Sequence, residues 1–432
     1  MDDNSKYLRN VRTQYEHLPY PPRDPEEERT RLLRTTSERL TNLNHYCYRG
    51  RRRFEDFRVL VAGGGTGDAT VYIATQLKNL PGAKVVHLDM SKASMEVARQ
   101  RIEVRGLGNV EWMHASLLDL PKLGVEPFDL ISCAGVLHHL EDPDEGLRAL
   151  AAVTDPKGAL SLMVYGQVGR TGVYQIQELM RRVNAGTADI GERLDNTKRV
   201  LASLPPSNWF KRGEEMIRDH IDFGDSGIFD LFLHEQDRAY TVHEVYDYVE
   251  RAGLHFIDYV MPHRAYLEPS FYITDPELLE KITAMPLRDQ RAIMELMTGM
   301  LHQHHFYTSP TPDRVASVDD LDNVIFPGRH PKILQSIVEN FKKQPGQPLI
   351  GRSKYHPIRF DPGGYGPEIL SNIDGKRTLG EIFAAVRESS GDSKLTDAML
   401  LADFKPLYGQ LSMQNEVLLR HKSVPDYPEI LE

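Results

Sequence analysis

The run Gly63-Gly64-Gly65-Thr66-Gly67 is the part of this chain best suited to hold a small ligand. It follows a short apolar stretch, Arg58 to Ala62, and precedes a helical pattern from Asp68 to Leu80. A backbone that turns sharply from strand to helix, with a ligand against it, favours glycine. The free amides and positive dipole end of the following helix suit a carboxylate. Spacing separates ligand classes. A dinucleotide loop needs G-x-G-x-x-G, yet counting from Gly63 puts the third glycine at Asp68, and counting from Gly65 puts it at Thr70. G-x-G-x-G fits at Gly63, Gly65 and Gly67. Asp89 closes the next apolar stretch, Lys84 to Leu88. A carboxylate there can accept both hydroxyls of a ribose; capping the helix that starts at Ser91 is its plainer role.

Candidate acid–base groups lie further along. His138 and His139 are imidazoles that titrate near neutrality. His234, Glu235, Asp237 and Arg238 gather polar groups ahead of a helix capped by Thr241, with His220 and Asp222 nearby in sequence. Tyr165 and Arg170 follow an apolar stretch, and Tyr15 and Tyr20 could form a lid or pack in a core. His302, His304 and His305 resemble metal ligands, with His302 and His305 on one helix face, but no cysteine accompanies them and no metal is expected.

The elements that must position these groups alternate. Strands are expected at Arg58–Ala62, Lys84–Leu88, Val110–Met113, Phe128–Cys133, Ala159–Tyr165 and His255–Val260, with helices over Asp68–Leu80 and Ser91–Arg105. Such alternation implies a parallel sheet covered on both faces. A helix is expected from about Glu26 to Tyr46, another from Val242 to Arg251 ending at Gly253, and mainly helical stretches over 169–253 and 265–310. Residues 313–331 look like a linker, and Tyr355–Phe360 and Asn415–Arg420 look strand-like.

With these motifs in view, Val59 to Tyr165 resembles the class I S-adenosylmethionine (SAM)-dependent methyltransferases. Val59–Asp68 looks like their first motif, His87-Leu88-Asp89 their second, and Phe128–Ile131 their fourth strand. Gly135–Leu140 resembles a loop of members that act on small molecules. The resemblance implies an α/β fold with a seven-stranded Rossmann-like methyltransferase sheet; the element pattern outside it adds an N-terminal helical lid, a helical insertion and, from helices capped at Thr378 and Thr396 with flanking strands, a small α+β, winged-helix-like C-terminal domain. The boundaries expected are 1–54, 55–265 with the insertion at 169–240, a helical connection at 266–320, and 321–432. It implies SAM as cofactor, with Gly63, Gly64, Gly65, Gly67 and Asp68 around the methionyl part. Asp89 would hold the ribose, Met90, Ser116 and Leu117 the adenine, and Ala134 would run past the sulfonium. His138, His139, His234 and Asp237 are the catalytic candidates. Members carry an acidic residue two before the first glycine, where this chain has Val61.

Bulk properties narrow the acceptor. A formal charge of −10 argues against a nucleic-acid coat, although Arg49-Gly50-Arg51-Arg52-Arg53 leaves an RNA methyltransferase as an alternative. Two cysteines cannot build a disulfide framework and fit a reducing cytoplasm. No apolar run approaches a membrane span. The expected activity is methyl transfer to O or N of a small molecule or a protein side chain, with homodimerisation left open. A SAM-binding protein without catalysis is the other alternative, motivated by Val61.

Overall fold

The computed structural model describes residues 19–234, 236–352 and 357–426. Tyr15, Glu235 and Tyr355 lie outside the described residues.

The central strands are β1 (Arg58–Ala62), β2 (Lys84–Asp89), β3 (Val110–His114), β4 (Phe128–Ala134), β5 (Thr154–Gly166), β6 (Ala239–Tyr240), β7 (His255–Tyr259) and β8 (Gln303–Ser309). Seven form the path β3-β2-β1-β4-β5-β8-β7, and the two-residue β6 pairs with the end of β5. Only β8 runs antiparallel, between β5 and β7. In β1, Val59 and Val61 pack with Leu43 and Ile73 on one face, while Leu60 and Ala62 pack with Leu147 and Val245 on the other. This period of two, apolar on both sides, is why the stretch reads as one continuous hydrophobic run. The sheet order reverses between β1 and β4, and a crevice opens at the carboxyl ends of strands at such a switch point.

Several expectations fail for identifiable reasons. The single helix over Glu26–Tyr46 is instead a 3-10 turn (Pro25–Arg29), an extended stretch, a second turn (Thr36–Glu38) and a helix (Leu40–Cys47). Buried ion pairs from Glu28 to Arg101 and Arg105 and hydroxyl bonds to Glu38 override the local helical pattern. The stretch 265–310 is helical only to Thr298, because Gln303–Ser309 is the antiparallel strand β8. His302 and His305 therefore share no helix face.

The expected linker at 313–331 contains strand β9 (Asn323–Pro327). Strands β10 (Leu349–Arg352) and β11 (Pro357–Phe360) pair with each other, and β12 (Val417–His421) pairs antiparallel with β9. The C-terminal part is tied to the sheet. His45 accepts the Leu419 amide at 3.1 Å, Arg264 donates to the Ser412 carbonyl at 3.0 Å, and Leu418 joins the core of Val59 and Val61. The helices within 171–232 have their own apolar cluster, including Val173, Phe210 and Phe232. Among the described residues no helix is long and apolar enough to cross a membrane.

Candidate functional site

At the end of β1 the chain turns into the helix Asp68–Leu77. The Gly63 and Gly64 amides both donate to the Leu88 carbonyl, at 2.8 and 3.0 Å, which binds the loop to β2. Gly67, with φ of 99°, heads the helix in a left-handed conformation that glycine adopts without strain, and no side chain caps that helix. Gly64 is needed for another reason: an added Cβ would lie 2.3 Å from the His87 ring. Asp89 ends β2. Its carboxylate accepts the Gly65 amide at 2.7 Å and the Ser91 amide at 2.8 Å. Burial pushes its pKa up and these amide bonds oppose that. The helix that follows is capped by Ser91, whose hydroxyl accepts the Ser94 amide at 3.1 Å, so Asp89 instead ties the glycine loop to the start of that helix and also lines the ligand space, with lone pairs left over.

That space is a cavity of about 690 Å³ at the switch point, within the range of cofactor pockets. Gly63, Gly64, Gly65, Gly67, Asp68, Asp89, Met90, Ser116, Leu117 and Ala134 all line it. Ser116 also caps a 3-10 turn, accepting the Leu118 amide at 3.2 Å. Gly135, with φ of 78°, has open space in front of it: an added Cβ would meet only Met163, at 3.5 Å.

Asp68 does more than line the cavity. Arg23 grips it through two bonds of 2.8 and 2.6 Å, and Arg101 adds a third at 2.7 Å. Burial works to raise its pKa, but the two guanidiniums hold the carboxyl below its ordinary value. Its charge is therefore already matched, and it locks the N-terminal strap (residues 19–39) over the glycine loop.

Of the four catalytic candidates, the structure brings only His139 to the cavity. Its Nδ1 lies 2.8 Å from the Gln236 carbonyl. A carbonyl can only accept, so Nδ1 carries the proton and Nε2 keeps a lone pair. Burial lowers its pKa to about 4, so the ring is neutral at pH 7. His138 is fully buried against Tyr165, with ring centroids 3.9 Å apart, and neither of its nitrogens has a hydrogen-bond partner. His234 stacks on His139 at 3.7 Å and accepts the Gln236 amide at 3.2 Å, behind the cavity wall. Asp237 is taken up by Gln177 at 2.9 Å and Arg170 at 3.6 Å. His138, His234 and Asp237 thus pack behind the wall and do not line the cavity.

Groups outside that set of four complete the cavity wall. Tyr20, Asp219, Asp230, Tyr165 and Phe223 line the cavity together with His139, whose ring meets that of Tyr165, and Glu38 lines it with Ser132, to which it is bonded. Burial raises the pKa of Asp219. No motif marked Asp219, Asp230 or Glu38; they reach the cavity only through the helical insertion and the strap. His139, Asp230 and His234 bring possible ligand atoms within 4.8 Å of one another. The two imidazoles stack nearly parallel, however, at 23°, so their in-plane lone pairs do not converge as tetrahedral ligation requires. His304 is occupied by the Tyr240 carbonyl at 2.8 Å and His305 by Gln303 at 3.0 Å.

Comparison with known proteins accords with this geometry. The profile of the methyltransferase domain family matches residues 60–160, which span β1 through β5. Residues 60–160 thus carry a methyltransferase domain, and this part of the chain is similar to class I SAM-dependent methyltransferases. It is 30% identical over 257 residues to an uncharacterised protein of Synechococcus, a match covering 59% of this chain and 60% of that one. It is 26% identical over 135 residues to a ubiquinone biosynthesis O-methyltransferase of Neisseria meningitidis, covering 31% of this chain and 55% of the relative. The chain thus spans less than two thirds of the length of these relatives. The structure of PKMT2 from Rickettsia typhi superposes on 94% of this chain and 77% of its own, with a TM-score of 0.62 and 17% identity, so the two share a fold. Within the matched domain the glycine loop and Asp89 are the natural place to look for SAM.

Proposed function

We propose that this chain is a SAM-dependent methyltransferase acting on a nitrogen or oxygen atom of a small molecule or a protein side chain. One observation carries the reading: a single cavity joins the Gly63–Gly67 loop and Asp89 to a polar wall of His139, Asp219, Asp230 and Tyr165. The residues fit SAM. The uncapped helix start and loop amides suit its carboxylate, Asp89 the ribose, and Met90 and Leu117 the adenine face, while Ser116 keeps a lone pair for the adenine amino group. When bound, SAM supplies an electrophilic methyl on a sulfonium. The chain must then hold the acceptor in line beside Ala134 and Gly135 and exclude water.

The acceptor wall is acidic and aromatic. Asp219 and Asp230 with the rings of Tyr20, Tyr165 and Phe223 favour an acceptor that binds as a protonated amine, which carboxylates and aromatic faces both attract; it must give up a proton, to one of these carboxylates or to solvent, before its nitrogen lone pair attacks the methyl. His139 Nε2 can accept a hydrogen bond from the nucleophile. The RNA alternative is less favoured, because three arginines of the basic run have carboxylate partners within the chain: Arg51 pairs with Asp320 at 2.6 Å, Arg52 with Asp129 at 3.0 Å, and Arg53 with Glu55 at 3.2 Å.

The test is transfer of labelled methyl from SAM to fractionated cell extract. The account expects a base-stable label on an amine- or protein-containing fraction, reduced by His139→Gln. Cofactor binding with no transfer to any fraction would leave a SAM-binding protein and refute catalysis.

A further inference from the structure

Glu38 is a carboxylate in an unusual position. It sits on the short turn Thr36–Glu38 of the strap, is 2% exposed, and lines the same cavity as the glycine loop. Its Oε1 accepts the hydroxyls of Ser132 on β4 at 2.9 Å and of Ser161 on β5 at 3.1 Å, and its Oε2 accepts the hydroxyl of Ser37 at 2.7 Å. Among the described residues no cation pairs with it. Three neutral donors can hold a carboxylate in place, but a buried charge ordinarily needs an opposite one. The other cavity carboxylates on this side differ. Asp68 is neutralised by Arg23 and Arg101, and Asp89 accepts two backbone amides. β1 itself ends in Val61 and Ala62 and offers no charge.

We propose that Glu38 binds the α-ammonium group of SAM, so that a residue brought in by the strap completes the cofactor site. This rests on the SAM reading above. The methionyl end of a ligand on the glycine loop would carry its carboxylate toward the helix start; Glu38 is held by Ser132, the register partner of Val61 two residues before Gly63, so its carboxylate lies next to the strand end that leads into that loop and lines the same cavity. The ammonium would donate to Glu38 and supply the missing countercharge, making a charge-assisted bond in a site shielded from water. The strap is then part of the binding site as well as its cover.

The test uses calorimetry with S-adenosylhomocysteine and its deaminated analogue, 4-(5′-adenosylthio)butyrate, which differs only in lacking the amino group. Wild-type protein should bind S-adenosylhomocysteine at least tenfold more tightly than the analogue. Glu38→Gln should lose most of that preference while binding the analogue about as well as wild type. If circular dichroism shows the glutamine variant unfolded, Glu38→Asp serves instead; it keeps the charge but draws it back, and the preference should fall. Equal wild-type affinity for the two ligands, or an unchanged preference in the folded variant, would overturn the proposal and leave the SAM reading standing. Binding of neither ligand by wild type would instead sink the SAM reading itself.

Discussion

Replacing Arg101 with Met should unfasten the strap at a cost set by burial. Arg101 is 1% exposed; it donates to Glu28 at 2.9 and 2.6 Å, to Asp68 at 2.7 Å and to the Thr66 carbonyl at 2.8 Å. Methionine retains most of the stem but none of the charge. Removing one partner of a buried pair costs about 3–5 kcal/mol, because the remaining charge is stranded. Glu28 keeps Arg105 and Asp68 keeps Arg23, so the lower end, about 3 kcal/mol, is expected. Urea unfolding followed by far-UV circular dichroism would read this as a lower midpoint with an unchanged slope. The double variant Arg101→Met with Glu28→Gln should cost less than the two singles together, by about 2 kcal/mol, since the Arg101–Glu28 pair is then removed whole and Arg105 loses its carboxylate only once. A cost below about 1 kcal/mol for Arg101→Met, or strict additivity in the double variant, would refute the reasoning.

Two further predictions follow from packing and burial. Gly64→Ala should destabilise by about 1–3 kcal/mol, because its Cβ would press on the fully buried His87 ring, itself fixed by a 2.8 Å bond to Thr70; an unchanged melting temperature would contradict the packing described. Acid should destabilise the protein as pH falls below about 6.5. Burial depresses His45, His87 and His234 to about 3 and His139, His304 and His305 to about 4, so each stays neutral when folded but takes up a proton when unfolded. The stability they contribute is present above their unfolded pKa and is lost toward their folded values, at about 1.4 kcal/mol per pH unit for each. Urea midpoints that do not fall between pH 7 and pH 5 would contradict this.

The parts of the fold legible in the sequence are those whose signals are local. β1, β2 and β4 are short apolar runs, Ser91 and Thr241 cap helices with their own side chains, and Gly253 ends one in a left-handed turn. β8 was hidden because Gln303-His-His-Phe-Tyr-Thr-Ser is polar and its neighbours β5 and β7 are distant in sequence. β9 needs β12 as its partner, far along the chain. The strap reads as a helix, but tertiary bonds at Glu28 and Glu38 decide its path.

The site divides in the same way. The glycine spacing and Asp89 are encoded within one β–loop–α–β stretch and could be read directly. Which of four polar side chains near β4 and β6 reaches the cavity could not, because residue type does not reveal that Arg170 takes Asp237 or that Tyr165 covers His138. Asp219, Asp230 and Glu38 had no local mark at all.

The most direct test of the central claim is isothermal calorimetry of the wild-type protein with S-adenosylhomocysteine, with NAD as a control. The glycine spacing, Asp89 and the cavity predict one S-adenosylhomocysteine bound per chain and no heat with NAD. Absence of S-adenosylhomocysteine binding at millimolar ligand would contradict the account.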